Sequence, residues 1–353
     1  MAEQLAIAEE LAQTAGISLV YVNDDDPGYA RKRCGRGFTY FHPDGTRVQD
    51  QALRNRFAEL AIPPAWTDVW ICLEPNGHIQ ATGRDDAGRK QYIYHPDWEA
   101  MRNEAKFARI YQFGKVLPTI RDVVDADLRK HHLPREKVLA LTVALLDQTH
   151  IRIGNSSYTR QNGSFGLTTL QDDHAEISST RVVIEFSGKS GVEHHIDLRN
   201  PRLARLVKAC QELPGQRLFQ YEAEDGAISA VESGDVNNYL RTIAGEAFSA
   251  KDFRTWAGTV AAAKALLAMS PTEEQREREQ NVVAAVKMVA EELGNTPTVC
   301  RKYYIHPAIL DAYLSGKLRE ASRQTAKSNT GEQDAEAVVL RVLETMGYGE
   351  LAI

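Results

Sequence analysis

The feature that most constrains this chain is a change of hydrophobic period near residue 97. Before it, apolar residues alternate in short runs: "ISLVYVN" (17–23), "FTYFHPDGTRV" (38–48), "DVWICLEPNGHIQATG" (68–83) and "RKQYIYHP" (89–96). The Asp-Gly and Asn-Gly dipeptides among them are the residues that close tight turns, so this part reads as a small antiparallel sheet. From "HPDWEAMRNEAKF" onward the spacing becomes helical, with amphipathic stretches at 137–148, 201–212, 235–247, 257–269 and 276–293. One segment, "FGLTTLQDDHAEISSTRVVIEFSGKSGVEHHIDL" (165–198), interrupts them with short strands around hairpins, the last turning at "SGKSG". "SRQTAKSNTGEQD" (322–334) is polar and reads as a linker, and "AEAVVLRVLETMG" (335–347) as a short helix. The expected fold is α+β: a small antiparallel β-sheet N-terminal domain over 1–97, then a mainly α-helical domain over 98–353 containing a short β-hairpin sheet. No internal repeat is visible.

Composition narrows the function by exclusion. The chain's 353 residues suit two domains, each with its own core. No apolar run approaches the length of a membrane span, and the start "MAEQLAIAEELAQ" is acidic and amphipathic, unlike a signal peptide. A cytoplasmic location is expected. The four cysteines (Cys34, Cys72, Cys210, Cys300) are scattered without a CxxC pair, which argues against a disulfide framework or a structural metal. The net charge of −6 is unevenly placed: residues 1–30 hold six acids and no Lys or Arg, leaving 42 acids against 42 bases. A neutral body neither requires nor forbids a nucleic-acid partner.

No phosphate-binding G-x-x-x-x-G-K-[ST] run occurs, nor any HExxH cluster, so the sequence points to side chains working without nucleotide or metal. Four segments offer such side chains: "HIRIGNSSY" with Arg152, "SGKSG" with Lys189, "KDFRTWAGT" with Arg254, and "GNTPTVCRKYY" with Asn295, Tyr303 and Tyr304. Each has an ordinary explanation. Arg152 suits a surface position after a helix, Lys189 a solvated turn, and Arg254 a local ion pair with Asp252. Gly294, Thr296 and Pro297 suit a helix stop, an N-cap and a first helical residue. A phenol, with an ordinary pKa near ~10, is a weak nucleophile unless cations stabilise the charge it develops.

Their joint order resembles the active-site series of type IB DNA topoisomerases, closest to the compact poxvirus-like bacterial form. That series runs Arg, hairpin Lys, "KDFRT", then "NTP" with a tyrosine nine residues after the Asn. The resemblance extends through "RIGNSSY", "GLTTL" and, in the first domain, "GRKQYIY". It implies a metal-free and ATP-free enzyme that relaxes supercoiled DNA by single-strand cleavage, a 3′-phosphotyrosyl intermediate and religation. It makes Tyr304 the nucleophile, Arg152 and Arg254 the phosphate ligands, and Lys189 the general acid together with Arg152. Asn295 stands where the poxvirus form has histidine; an amide can donate a hydrogen bond to phosphate but cannot transfer a proton. Fixed guanidinium forks would stabilise the pentacoordinate phosphorane more than the ground state.

The resemblance further implies a monomer that clamps duplex DNA between its two domains, acting in the bacterial cytoplasm on the nucleoid. Arg89, Gln91, Tyr92 and Tyr94 are the expected groove-facing residues of the first domain, and Tyr158 of the second. Strand alternation puts Tyr92 and Tyr94 on one face, toward either DNA or the core. Two rivals are a tyrosine recombinase, which typically carries H-x-x-R where this chain has "KDFR", and a catalytically inactive DNA-binding protein.

Overall fold

In the computed structural model, residues 18–223, 225–245, 248–328 and 334–349 are described. The acidic stretch 1–13 and residues 329–333 of the polar stretch lie outside them. The chain divides into two compact units, Met1–Lys106 and Phe107–Ile353.

The first unit is a five-stranded antiparallel sheet formed by β1 (Gly28–Cys34), β2 (Gly37–Phe41), β3 (Thr67–Cys72), β4 (Ile79–Arg84) and β5 (Lys90–Tyr94), in the order β2-β1-β3-β4-β5. Helix α1 (Gln51–Glu59), capped by Asp50, closes one face by burying Phe57 among Tyr29, Val48, Val69, Ile71 and Ala81. Arg31 reaches through this unit, almost fully buried, and donates to the carbonyls of Ile62, Pro63 and Trp66.

The run 17–23 departs from the strand expected of it. Among its described residues a single parallel bridge joins Val20 to Gly77, and Tyr21 instead packs edge-on against Trp98 at 5.6 Å. The edge of β3 is taken by "GYARKRC", whose Arg-Lys-Arg breaks the apolar alternation that marks strands in sequence.

Helix α2 (Pro96–Asp127) begins in the first unit and continues into the second. There follow α3 (Arg135–Thr149), α4 (Ser156–Asn162), the sheet β6 (Ala175–Ile177), β7 (Arg181–Ser187) and β8 (Glu193–Arg199), and α5 (Pro201–Gln211). A small ribbon of β9 (Gln220–Glu222) and β10 (Ile228–Ala230) precedes α6 (Ser233–Ala244), α7 (Ala250–Ala268), α8 (Gln275–Leu293), α9 (Pro297–Tyr303) and α10 (Pro307–Leu314). The chain closes with α11 (Lys317–Ser328) and α12 (Ala335–Thr345). The core of this unit is continuous, with α3 buried from Val138 to Leu146 and α7 contributing Phe253, Trp256 and Leu266.

The polar stretch 322–334 is a correction as well. Its first residues complete α11, where Leu318, Ala321, Ser322 and Thr325 form one buried stripe at helical spacing. The Thr325 hydroxyl donates to the Ala321 carbonyl at 2.9 Å, so small polar residues that look like linker by composition sit inward here. Among the described residues no helix is long and apolar enough to cross a membrane.

Candidate active site

Two left-handed turns build the site. Helix α3 ends at His150, whose φ of 56° is uncommon for a side-chain-bearing residue, and α8 ends at Gly294, with φ of 59°. Each turn delivers a polar side chain shortly beyond it, Arg152 two residues after His150 and Asn295 one residue after Gly294. Arg152 donates from Nη2 to Asn295 Oδ1, joining them directly.

The loop after Arg152 is fixed by its own main chain. The Arg152 carbonyl accepts from Leu167 N–H and the Ile153 carbonyl from Thr168 N–H, both at 2.8 Å. Gly154 and Gly166 lie back to back: a Cβ on Gly166 would stand 2.6 Å from Gly154 Cα and 2.7 Å from the Arg152 carbonyl. This close approach is why the "RIGNSSY" and "GLTTL" segments each carry a glycine there.

Arg254, on α7, fastens the two turns. Its side chain is 5% exposed, Nη2 donates to the Leu293 carbonyl at 2.7 Å, and Nη1 donates to the His150 carbonyl. Those acceptors lie two residues before Asn295 and Arg152 respectively. The ion pair that neighbouring sequence suggested does not form: Asp252 caps α7 at Ser249 and pairs with Arg109 at 3.0 Å. Burial is the main influence lowering the pKa of Arg254, and Arg152 adds to it, while the Tyr304 phenol opposes both. Such a charge is tolerated in the interior because carbonyls and a phenol surround it.

The guanidinium carbon of Arg254 stands 5.2 Å from the centre of the Tyr304 ring. Tyr304 is the residue that caps α9 and packs partly against the core, whereas Tyr303, the last helical residue, has Lys302 at 5.3 Å. The Tyr304 carbonyl rests on Gly258, where a Cβ would meet it at 2.6 Å. Nearby, the Thr259 hydroxyl donates to the Thr255 carbonyl at 2.7 Å and accepts from His306 N–H at 3.1 Å. His306 is itself fully buried and caps α10 through Nδ1.

Arg152, Arg254, Asn295 and Tyr304 are thus brought together. Two of their donors, Arg152 Nη1 and Arg254 Nε, are buried with no hydrogen-bond partner among the described residues. Lys189 is exposed at the tip of the β7–β8 hairpin, on a turn that Gly188 N–H closes against the Val192 carbonyl at 2.8 Å.

The residues expected to face DNA divide by strand face. Tyr92 and Tyr94 are stacked on one side of β5, 5.8 Å apart, with Tyr92 42% exposed and Tyr94 beside Trp98 and Met101. Arg89 and Gln91 alternate with them and both reach Asp85, at 2.8 and 2.9 Å. The bond from Arg89 is the main cause holding the Asp85 carboxyl down to about 2. Tyr158 is half-buried on α4, its main-chain N–H received by the Asn155 cap at 3.0 Å. Sequence reading missed His150 and Leu293, which act through their carbonyls, Gly258, which acts by lacking a side chain, and Thr259, whose hydroxyl joins two stretches of main chain.

The family model for the eukaryotic DNA topoisomerase I catalytic core matches residues 95–332, and that for the bacterial DNA topoisomerase IB N-terminal domain matches residues 37–85. The chain is 33% identical over 293 residues to the DNA topoisomerase 1B of Acanthamoeba polyphaga mimivirus, an alignment covering 81% of this chain and 87% of that protein. It is 26% identical to the DNA topoisomerase I of Monkeypox virus, over 77% and 88% of the two chains. With DNA topoisomerase 1 of Mycosarcoma maydis it shares 24% identity, over 49% of this chain and 19% of that one. These matches are all to DNA topoisomerases. The chain belongs to the type IB DNA topoisomerase family.

Proposed function

We propose that the protein relaxes supercoiled duplex DNA by cutting one strand with Tyr304 and resealing it, using neither nucleotide nor metal. The observation that carries this reading is the pair of buried donors, Arg152 Nη1 and Arg254 Nε, which lack partners among the described residues and belong to the two arginines grouped with Tyr304. A buried charged donor left without an acceptor costs roughly 1–3 kcal/mol or more, so a site that keeps two is suited to an anion.

The phenolic oxygen of Tyr304 attacks the phosphorus, an O–P bond forms, and the bond from phosphorus to the 5′-oxygen breaks. The phenol's proton leaves to solvent, and the departing 5′-oxygen takes a proton from Lys189, assisted by Arg152. Arg152 and Arg254 bind the non-bridging oxygens, and Asn295 holds Arg152 while offering its amide to the phosphate. Bond energy is retained in the phosphotyrosine, so the 5′-hydroxyl reverses the step after the strand has rotated.

The partner is duplex DNA, held by a monomer in which residues 1–97 and 98–353 each supply contacts. Arg89, Gln91, Tyr92, Tyr94 and Tyr158 are the groove and backbone contacts in this reading, and the bacterial nucleoid in the cytoplasm is where the protein would act. The test is relaxation of plasmid in EDTA without ATP. Both positive and negative supercoils should be removed, because torque-driven rotation has no preferred sign. An absolute need for magnesium or ATP would overturn the reading.

A further inference from the structure

His194, on β8, has no part in the chemistry above, yet it sits where the hairpin meets the site. Its ring lies flat on its cross-strand partner Phe186, with centroids 4.9 Å apart and planes 16° from parallel. One edge faces Gly188, where a Cβ would stand 2.6 Å from Cδ2 and 2.7 Å from Nε2. The other edge faces Gly294, where a Cβ would stand 2.8 Å from Cε1. Gly188 immediately precedes Lys189, and Gly294 immediately precedes Asn295. The imidazole is therefore a wedge between the main chain carrying the hairpin lysine and the main chain carrying the asparagine that holds Arg152.

The two glycines differ in what they require. Gly294 has the left-handed φ of 59° that favours glycine in any case. Gly188 has φ −92° and ψ −162°, a backbone any residue adopts, so contact with the His194 ring is what excludes a side chain there.

Building on the topoisomerase reading above, we infer that His194 is a positioning residue that registers the Lys189 hairpin against the phosphate site of Arg152, Arg254 and Asn295. An exposed lysine on a four-carbon stem is placed only as well as its backbone origin, and the wedge fixes that origin. Burial chiefly, then the Arg152 and Arg254 charges, lower the pKa of His194, with Glu193 opposing them; at neutral pH the ring is an uncharged spacer.

The test is single-turnover cleavage of a suicide DNA substrate with either oxygen or sulfur at the 5′-bridging position. His194→Ala should cleave the oxygen substrate about 10²-fold more slowly, the cost of misplacing a reacting group by about 1 Å. It should cleave the sulfur substrate at the wild-type rate, because a thiolate leaves without a proton from Lys189. Adding His194→Ala to Lys189→Ala should cause no further slowing, since the ring acts through the lysine. Gly188→Ala, whose methyl displaces the ring, should reproduce the His194→Ala pattern on both substrates, and decides the matter if His194→Ala fails to fold. Cleavage of the oxygen substrate at the wild-type rate by the folded variants overturns the inference. So does equal slowing on both substrates, which would place the ring's effect at the phosphate. A wild-type protein that forms no adduct with either substrate instead refutes the topoisomerase reading, and the inference with it.

Discussion

Tyr304 is held in the structure through its own carbonyl, and Gly258→Ala tests what that support is worth. The new Cβ would stand 2.6 Å from the Tyr304 carbonyl oxygen and 3.2 Å from Leu293 Cδ1. The leucine methyl can swing aside, but a main-chain carbonyl cannot, so Tyr304 must retreat by about 0.8 Å to reach the 3.4 Å at which ordinary contact begins. Overpacking of this kind costs roughly 1–3 kcal/mol. Alanine in a helix interior returns roughly 0.5–1 kcal/mol relative to glycine, so the net loss of stability stays within about 2.5 kcal/mol and the protein folds. The chemistry is less forgiving, because misplacement by about 1 Å costs a reacting group on the order of 10² in rate. Covalent adduct on a suicide substrate should therefore form about 10²-fold more slowly, with DNA affinity close to that of the wild type. Wild-type adduct formation by a Gly258→Ala protein of unchanged melting temperature would refute the reasoning.

Further outcomes are expected. Tyr304→Phe should fold and bind DNA but form no adduct, whereas Tyr303→Phe should cleave within about an order of magnitude of wild type, a difference of roughly 1.4 kcal/mol; mass mapping of DNA to Tyr303 would reverse the assignment. DNA affinity should fall steeply with salt despite the net charge of −6, because local phosphate contacts release counterions; a flat salt dependence would contradict a site built on phosphate contacts. His306, fully buried, has its pKa pushed down to about 4 by burial, against the opposing pull of the Phe107 main chain. The unfolded chain then binds a proton below its ordinary value of 6.5 that the folded protein refuses, so His306 costs stability as pH falls from about 6.5 toward 4, by up to about 3 kcal/mol. His306→Asn, which retains a capping acceptor, should flatten denaturant-measured stability across that window; an unchanged slope would show that His306 is not its source.

What could be read in the sequence follows from where each signal resides. Strong helical periods translate directly, as in 201–212 against Pro201–Gln211 and 276–293 against Gln275–Leu293. Failures occur where polar side chains do interior work. Strand β1 hides behind Arg31, whose guanidinium is buried on three carbonyls, and α11 hides behind Ser322 and Thr325. The site divides in the same way. Its side chains stand out by type and order, but the parts that hold them leave little mark. The carbonyls of His150 and Leu293 carry no residue signature, and a left-handed turn at a histidine looks like the continuation of a helix.

That hidden scaffold bears on how the two arginines share their work. A guanidinium offers five N–H donors in a fixed plane, and Arg254 commits Nη1 and Nη2 to the His150 and Leu293 carbonyls, leaving Nε without a partner among the described residues. Arg152 commits Nη2 to Asn295 and likewise leaves Nη1. Each arginine is thus anchored by part of its fork and presents another part, which fixes two donors before any phosphate arrives. A lysine in place of Arg254 has one tetrahedral ammonium and cannot hold two carbonyls in that plane while directing a third donor elsewhere. Removing Arg254 therefore loosens the turns that deliver Arg152 and Asn295 along with taking away its own charge. Its loss should exceed what a single phosphate contact explains, and the excess measures the architecture.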